Sequence, residues 1–265
     1  MKDMTTSFTT GDGVRIAYRL DGDASKPVLL LSNSIATDLH MWDTNVVALT
    51  EHFRLLRYDF RGHGGSETPE GAYSLDRFGR DVLELLDTLD LPRVHVLGLS
   101  LGGYVAQWLA IHAPERVDRL VLANTAAHLG PAPQWDAAIA ELLRAPDMRE
   151  TADRFLHNWF PAELLESDTV EPFRRTLLTT SREGVAAAWA IVRDSDQRRT
   201  VSLISRPTLV IAGRDDTVTS EAHGKELAET IPGARFEVLP AVHLSNVEQS
   251  SAFEDAVVTF LRQQP

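Results

Sequence analysis

The chain has 265 residues, 43% of them hydrophobic and 24% charged, which is the composition of a folded domain and excludes disordered and collagen-like chains. A net charge of −12 argues against a nucleic-acid partner or an anionic membrane surface, and the absence of cysteine excludes disulfides, thiolate nucleophiles and cysteine-ligated metals. No apolar run reaches the roughly 18 residues of a spanning helix, and the polar first ten residues lack the core of a signal peptide, so a soluble cytoplasmic protein is expected.

In chain order, residues 5–9 and 14–20 are short β-prone runs around Gly11-Asp12-Gly13, which predicts a hairpin. Apolar strands are then expected at 28–31, 53–58, 94–97, 120–123, 208–212 and 236–239. Between them, Leu75, Phe78, Val82, Leu85, Leu86 and Leu89 recur at helical spacing over 75–89, and a second helix is expected over 101–112, stopped near Pro114. This alternation predicts a mostly parallel sheet covered by helices on both faces. The rhythm breaks over 131–200, which has no clear strand and is cut into short helical pieces by Pro131, Pro133, Pro146, Pro161 and Pro172. The expected organisation is an α/β core of residues 1–130 and 201–265 with a helical cap of residues 131–200; extra packing helices without a lid role are the alternative.

Gly98-Leu99-Ser100-Leu101-Gly102 fits G-x-S-x-G, directly after one predicted strand and directly before a helix. A sharp strand-to-helix turn there lifts the serine out in a strained backbone, and flanking glycines, with Gly103, prevent clashes across it. The helix start offers free N–H groups and a positive dipole end, which suits an oxyanion, so the Leu101 amide is expected to be one donor. A serine hydroxyl needs an adjacent base. His243 follows the last predicted strand and completes the chain order serine, acid, histidine; His63 is assigned a loop-shaping role, and His112, His128, His157 and His223 are adequately explained as solvated. The acid should follow the strand at 208–212, where Asp215 and Asp216 are adjacent; spacing favours Asp216, with Asp215 as the alternative. The loop after the strand at 28–31 is expected to supply the second oxyanion amide at Ile35, with Trp42 and His40 as candidate pocket walls.

Asn33-Ser34, Thr37-Asp38, Met41-Trp42, the run from Arg57 to Gly64, Asn124-Thr125-Ala126-Ala127 and His243-Leu244-Ser245-Asn246 resemble 3-oxoadipate enol-lactonases of the α/β-hydrolase superfamily. The likeness spans nearly the whole chain, and in the cap Trp135, Trp159-Phe160 and the run Arg193 to Asp196 also fit. It implies a cofactor-free lactone hydrolase with Ser100, Asp216 and His243 as its triad, and a substrate pocket that includes Ser34, Trp42, Trp135, Ala138, Trp159 and Trp189; no residue cluster has metal-ligand spacing, so no metal is expected. The chain departs from the family at Ala36 (usually Gly), Leu101 (usually Met), and at Val185, Ala188 and Trp189 in the second cap stretch. The family also carries an Arg shortly after the cap Trp, where this chain has Ala138; an arginine fork binds carboxylates bidentately, so its loss alters the expected substrate preference. Arg144, Arg154 and Arg193 are available to compensate.

The expected function is hydrolysis of a carboxylic ester or lactone, foremost 3-oxoadipate enol-lactone. The alternatives are a carboxylesterase or lactonase for a larger apolar substrate, which Ala138 and Trp189 favour, and a cofactor-free perhydrolase. A ligand-binding protein that has lost turnover need not keep a complete triad, whereas this chain has one in order.

Overall fold

The computed structural model describes residues 6–263. β1 (Thr6–Thr9) and β2 (Arg15–Asp21) form the expected antiparallel hairpin, with Thr6 opposite Tyr18 and Thr9 opposite Arg15; residue 5, where the first run was expected to begin, lies outside the described residues. β3 (Val28–Ser32), α1 (Asp43–Thr50), β4 (Arg54–Tyr58), α2 (Leu75–Thr88), β5 (Val94–Leu99), α3 (Leu101–His112) and β6 (Val117–Ala123) follow. Next come α4 (Ala132–Arg144), α5 (Arg149–Trp159), α6 (Glu171–Thr179) and α7 (Arg182–Asp194), and then β7 (Thr208–Gly213), α8 (Glu221–Thr230), β8 (Arg235–Leu239), α9 (Ser245–Glu248) and α10 (Ser250–Leu261).

The strands form one eight-stranded sheet in the order β1-β2-β4-β3-β5-β6-β7-β8. From β4 to β8 every pairing is parallel, and β2 runs antiparallel to both of its neighbours. β5 and β7 are buried along their whole length, and β3 and β6 nearly so. That is why they read as unbroken apolar runs: helices cover both faces, leaving no side to alternate toward water. β8 at the sheet edge is mostly exposed, Phe236 and Val238 included.

α2 shows how a face is chosen. Ser74 caps it, its side chain accepting from the Arg77 amide, and Phe78, Val82, Leu85 and Leu86 turn inward. Gly79 brings it down on α3, since a Cβ there would lie 2.0 Å from the Trp108 ring. α3 lies under the sheet centre and is buried from Leu101 to Ala110.

Every proline expected to cut the region between β6 and β7 sits at a helix boundary: Pro131 and Pro133 open α4, Pro146 separates α4 from α5, Pro161 follows α5 and Pro172 opens α6. The ends of this insertion are pinned together. His128 and Asp196 form an isolated antiparallel bridge, and the Gln197 amide donates to Ala127 O at 2.9 Å. The start of α7 then sits directly on the core, where a Cβ on Gly184 would lie 2.2 Å from Gly62 O. Among the described residues no helix is long and apolar enough to cross a membrane.

Candidate active site

Ser100 occupies the turn between β5 and α3 with φ 57° and ψ −119°, a left-handed region that costs a non-glycine residue roughly 1–3 kcal/mol. The surroundings impose it. The Ser100 amide donates to Ala123 O at 3.0 Å, and the Thr125 hydroxyl donates to Ser100 O at 2.8 Å. The motif glycines are the points of closest backbone approach: a Cβ on Gly98 would lie 2.2 Å from Gly102 O, and one on Gly102 would lie 2.0 Å from Ser32 O. Gly103 likewise makes room for Thr125. Strand, turn and helix can pack this way only without side chains at those positions.

His243 and Asp216 come from the loops after β8 and β7. His243 Nδ1 lies 2.8 Å from Asp216 Oδ2, and both side chains are buried. Asp216 is saturated with donors. Its Oδ1 accepts from the Val218 and Thr219 amides at 2.8 and 3.0 Å, and its Oδ2 also accepts from the Thr219 hydroxyl at 2.8 Å and Asn124 Nδ2 at 3.0 Å. Burial alone would raise this carboxyl, but the charge and hydrogen bond of His243, with those of Asn124 and Thr219, hold it below the ordinary carboxylate range. An ionised carboxylate only accepts, so the imidazole proton sits on Nδ1 and Nε2 is left as the base. Asp215 points to solvent, 3.6 Å from Arg214 Nε, so the structure brings Asp216 and not Asp215 to the imidazole.

Asn124, Thr219 and Ser245 were not singled out for the site from sequence. Asn124, at φ 43°, donates to Asp216 and to Val242 O, and accepts from the Ser245 hydroxyl at 2.5 Å. It therefore ties the ends of β6 and β7 to the histidine loop. The signal available was position, because Asn124 directly follows an apolar strand where asparagine tolerates the left-handed region. The histidine loop is further held by the Val242 amide donating to Glu248 Oε2 at 2.8 Å, and by the Leu244 amide donating to Trp159 O at 3.2 Å.

Ser100 and His243 line one cavity of about 170 Å³, together with Ile35, Leu101 and Tyr104 from the core. Among the described residues no hydrogen bond joins the Ser100 hydroxyl to His243, and such contacts commonly tighten only when substrate arrives. The loop after β3 rests on the start of α3, with the Gly102 amide donating to Asn33 O at 2.8 Å, which sets Ile35 beside Leu101 on the cavity wall. The far side comes from the helical insertion: Trp135 and Ala138 from α4, Thr151, Arg154, Phe155, Asn158 and Trp159 from α5, and Trp189 from α7. Its aromatic rings form a continuous chain, Trp135 to Trp189 to Phe155 to Trp159, with centroids 6.4, 5.9 and 4.9 Å apart.

Three expected pocket residues, Trp42, Ser34 and His40, lie elsewhere. Trp42 is fully buried behind the loop after β3 and donates from Nε1 to Asn33 Oδ1 at 2.8 Å, so it fixes the loop without lining the cavity. Ser34 faces the same way: its amide meets Met41 Sδ at 3.2 Å, its carbonyl accepts from the Thr37 hydroxyl, and it too is absent from the cavity wall. His40 is outside this cavity and pairs with Asp43 at 2.9 Å on the surface. His63 is buried in the loop after β4 with Nδ1 3.1 Å from Arg61 O.

The alpha/beta hydrolase fold family matches residues 27–249. A 3-oxoadipate enol-lactonase of Acinetobacter baylyi is 40% identical over 255 residues, covering 96% of this chain and 95% of that protein. Among solved structures, a hydrolase from Pseudomonas aeruginosa PA01 matches with a TM-score of 0.97 at 59% identity, covering 99% of this chain and all of that one. The enol-lactonase from Burkholderia xenovorans LB400 matches at 0.93 and 39% identity, covering 97% of this chain and all of its own. The chain belongs to the α/β-hydrolase family, and over nearly its full length it is similar to 3-oxoadipate enol-lactonases.

Proposed function

We propose that the protein hydrolyses 3-oxoadipate enol-lactone through an acyl-enzyme, with Ser100 as nucleophile, His243 as base and then acid, and Asp216 as the group that orients and stabilises the imidazole. The observation that carries this reading is that His243, paired with buried Asp216, lines the same cavity as a serine in a strained strand-to-helix turn. The likeness to enol-lactonases supplies the substrate.

In this reading His243 Nε2 takes the Ser100 proton as Oγ attacks the lactone carbonyl. The amides of Leu101 and Ile35 have no acceptor within the protein among the described residues, which leaves them available to the developing oxyanion. Collapse breaks the ring C–O bond, and the imidazolium returns the proton to the departing enol oxygen. Water then attacks the acyl-enzyme by the same route in reverse. Residues 131–200 act as the cap that closes the cavity over a core of 1–130 and 201–265, and no metal or organic cofactor is required. A second reading, an esterase for a larger apolar acyl group, is favoured by the aromatic chain in the cavity wall.

Turnover of the enol-lactone by purified protein tests the assignment. Ser100→Ala is expected to lower the rate roughly 10⁴- to 10⁶-fold with the fold intact, and a phosphonate should add its mass at Ser100. Asp216→Asn should cost up to about 10⁴-fold, because the amide offers His243 Nδ1 the wrong partner, whereas solvent-facing Asp215→Asn should change the rate little. Labelling elsewhere, or the opposite order of the two asparagine variants, would overturn the triad.

A further inference from the structure

We infer that Arg154, on α5, recognises a free carboxylate on the substrate. The inference rests on the hydrolase reading above and adds the residue that reads the substrate's charge. Among the described residues lining the cavity Arg154 is the single Lys or Arg, and the wall is otherwise apolar apart from Ser100, Tyr104, Thr151, Asn158, Thr219 and His243. Its side chain is 46% exposed, which places it at the rim rather than in the depth. The other two candidate arginines are occupied or turned away. Arg193 is held by Asp194 at 2.7 Å and Asp136 at 3.0 Å, Arg144 is exposed, and neither lines the cavity.

The geometry brings the Arg154 charge toward the Ala138 position. Arg154 Nη2 donates to Glu141 Oε1 at 3.0 Å, and Glu141 lies three residues after Ala138 on α4. Residues three apart on a helix are neighbours on its surface, about 5–6 Å between Cβ atoms. The guanidinium therefore reaches across from α5 to within one turn of Ala138, which itself lines the cavity. Among the described residues only Nη2 is engaged by protein, with Glu150 a more distant second partner at 3.7 Å, so the remaining N–H groups of the fork can face a ligand. Thr151 and Asn158 lie one turn before and one turn after Arg154 and also face the cavity, so a polar stripe on α5 runs beside the aromatic chain. An acyl substrate with one apolar or unsaturated ring and one free carboxylate fits such a wall. A lactone derived from a dicarboxylic acid presents that combination, one carboxyl being tied in the ring and the other ionised.

The test compares the enol-lactone bearing its free carboxylate with the same lactone capped as the primary amide. Wild-type protein should prefer the carboxylate, and in Arg154→Gln the ratio of the two kcat/KM values should fall about 10- to 100-fold, the size of a charge-assisted hydrogen bond, with the loss in KM. Arg154→Lys should restore part of the ratio. Glu141→Gln, which breaks the ion pair but keeps the guanidinium, should raise it. An unchanged ratio in Arg154→Gln, or a collapse in Glu141→Gln equal to that in Arg154→Gln, overturns the inference and makes the arginine a surface ion-pair partner. Wild-type turnover of both lactones without discrimination overturns it while the hydrolase reading stands; turnover of neither sinks both.

Discussion

At Ala36 three small effects of known sign nearly cancel. The residue has φ 59° and is wholly buried. A left-handed backbone costs an alanine about 1–2 kcal/mol. Replacing it by glycine would relieve that strain, but would forgo about 0.8 kcal/mol for a buried methyl and about 0.4–1 kcal/mol through the greater freedom of the unfolded chain. Ala36→Gly is therefore expected to shift stability by less than about 0.5 kcal/mol in urea denaturation. Ala36→Val, which adds β-branching at the same φ, should lose 2 kcal/mol or more, so roughly equal midpoints for the two variants would contradict the argument. The balance explains how the chain carries alanine at a left-handed position. Other residue-scale features could not be read in advance. Asn124 is 92 positions from Asp216 and 121 from Ser245, and nothing in a one-dimensional pattern signals that convergence. Ser34 and Trp42 were misplaced for a related reason: periodicity assigns faces in helices and strands but says nothing about which way a loop side chain turns. Ser100, His243 and the acid pair were legible because fixed chain order and strand ends constrain them.

At the scale of elements, the loop after β4 holds two buried titratable groups whose effects on stability have opposite sign. Burial pushes Asp59 up to about 6, against hydrogen bonds from the Gly65 and Leu39 amides, with Asp38 raising it and His40 lowering it further. Burial pushes His63 down to about 4, opposed by its contact with Arg61 O. Asp59 binds its proton more tightly when folded, so its contribution is full below about 4 and is lost as pH rises through about 6. His63 binds its proton less tightly when folded, so its contribution is full above 6.5 and is lost as pH falls toward about 4. Each is on the order of 3 kcal/mol, and over the same window they largely offset. Removing one should expose the other. In thermal melts from pH 4 to 7, His63→Gln should lose stability relative to wild type as pH rises, and Asp59→Asn should gain it; parallel profiles for all three proteins would refute the coupling. The elements themselves were well marked in the sequence where burial is two-sided, as in β5 and β7, and where prolines stop helices, as in the insertion. Their ends were less so. β4 begins at Arg54 rather than 53 and β8 at polar Arg235 rather than 236, because ladder pairing, not hydrophobicity, decides terminal residues.

For the whole molecule, the net charge of −12 opposes the substrate that the site is proposed to take. A chain of this length packs into a sphere of about 23 Å radius, and that charge repels a unit anion at its surface by about 1.2 kcal/mol at 0.01 M salt but only about 0.6 kcal/mol at 0.15 M. The rim adds to the repulsion, since Glu141 and Glu150 both lie within 4 Å of Arg154 and outweigh it in formal charge. Contact between Arg154 and a bound carboxylate, at hydrogen-bond distance, lies well inside the Debye length at either salt concentration and is screened much less. Long-range repulsion should therefore fade with salt faster than the local attraction does. The expected outcome is that kcat/KM for the anionic enol-lactone rises about threefold from 0.01 to 0.15 M salt, while the value for its uncharged amide stays flat. The same rise should persist in Arg154→Gln, because it comes from the surface as a whole and not from the rim arginine. A fall with salt for the anionic lactone would mean that the local cation dominates the approach, and the global charge would then have to be discounted as a factor in substrate capture.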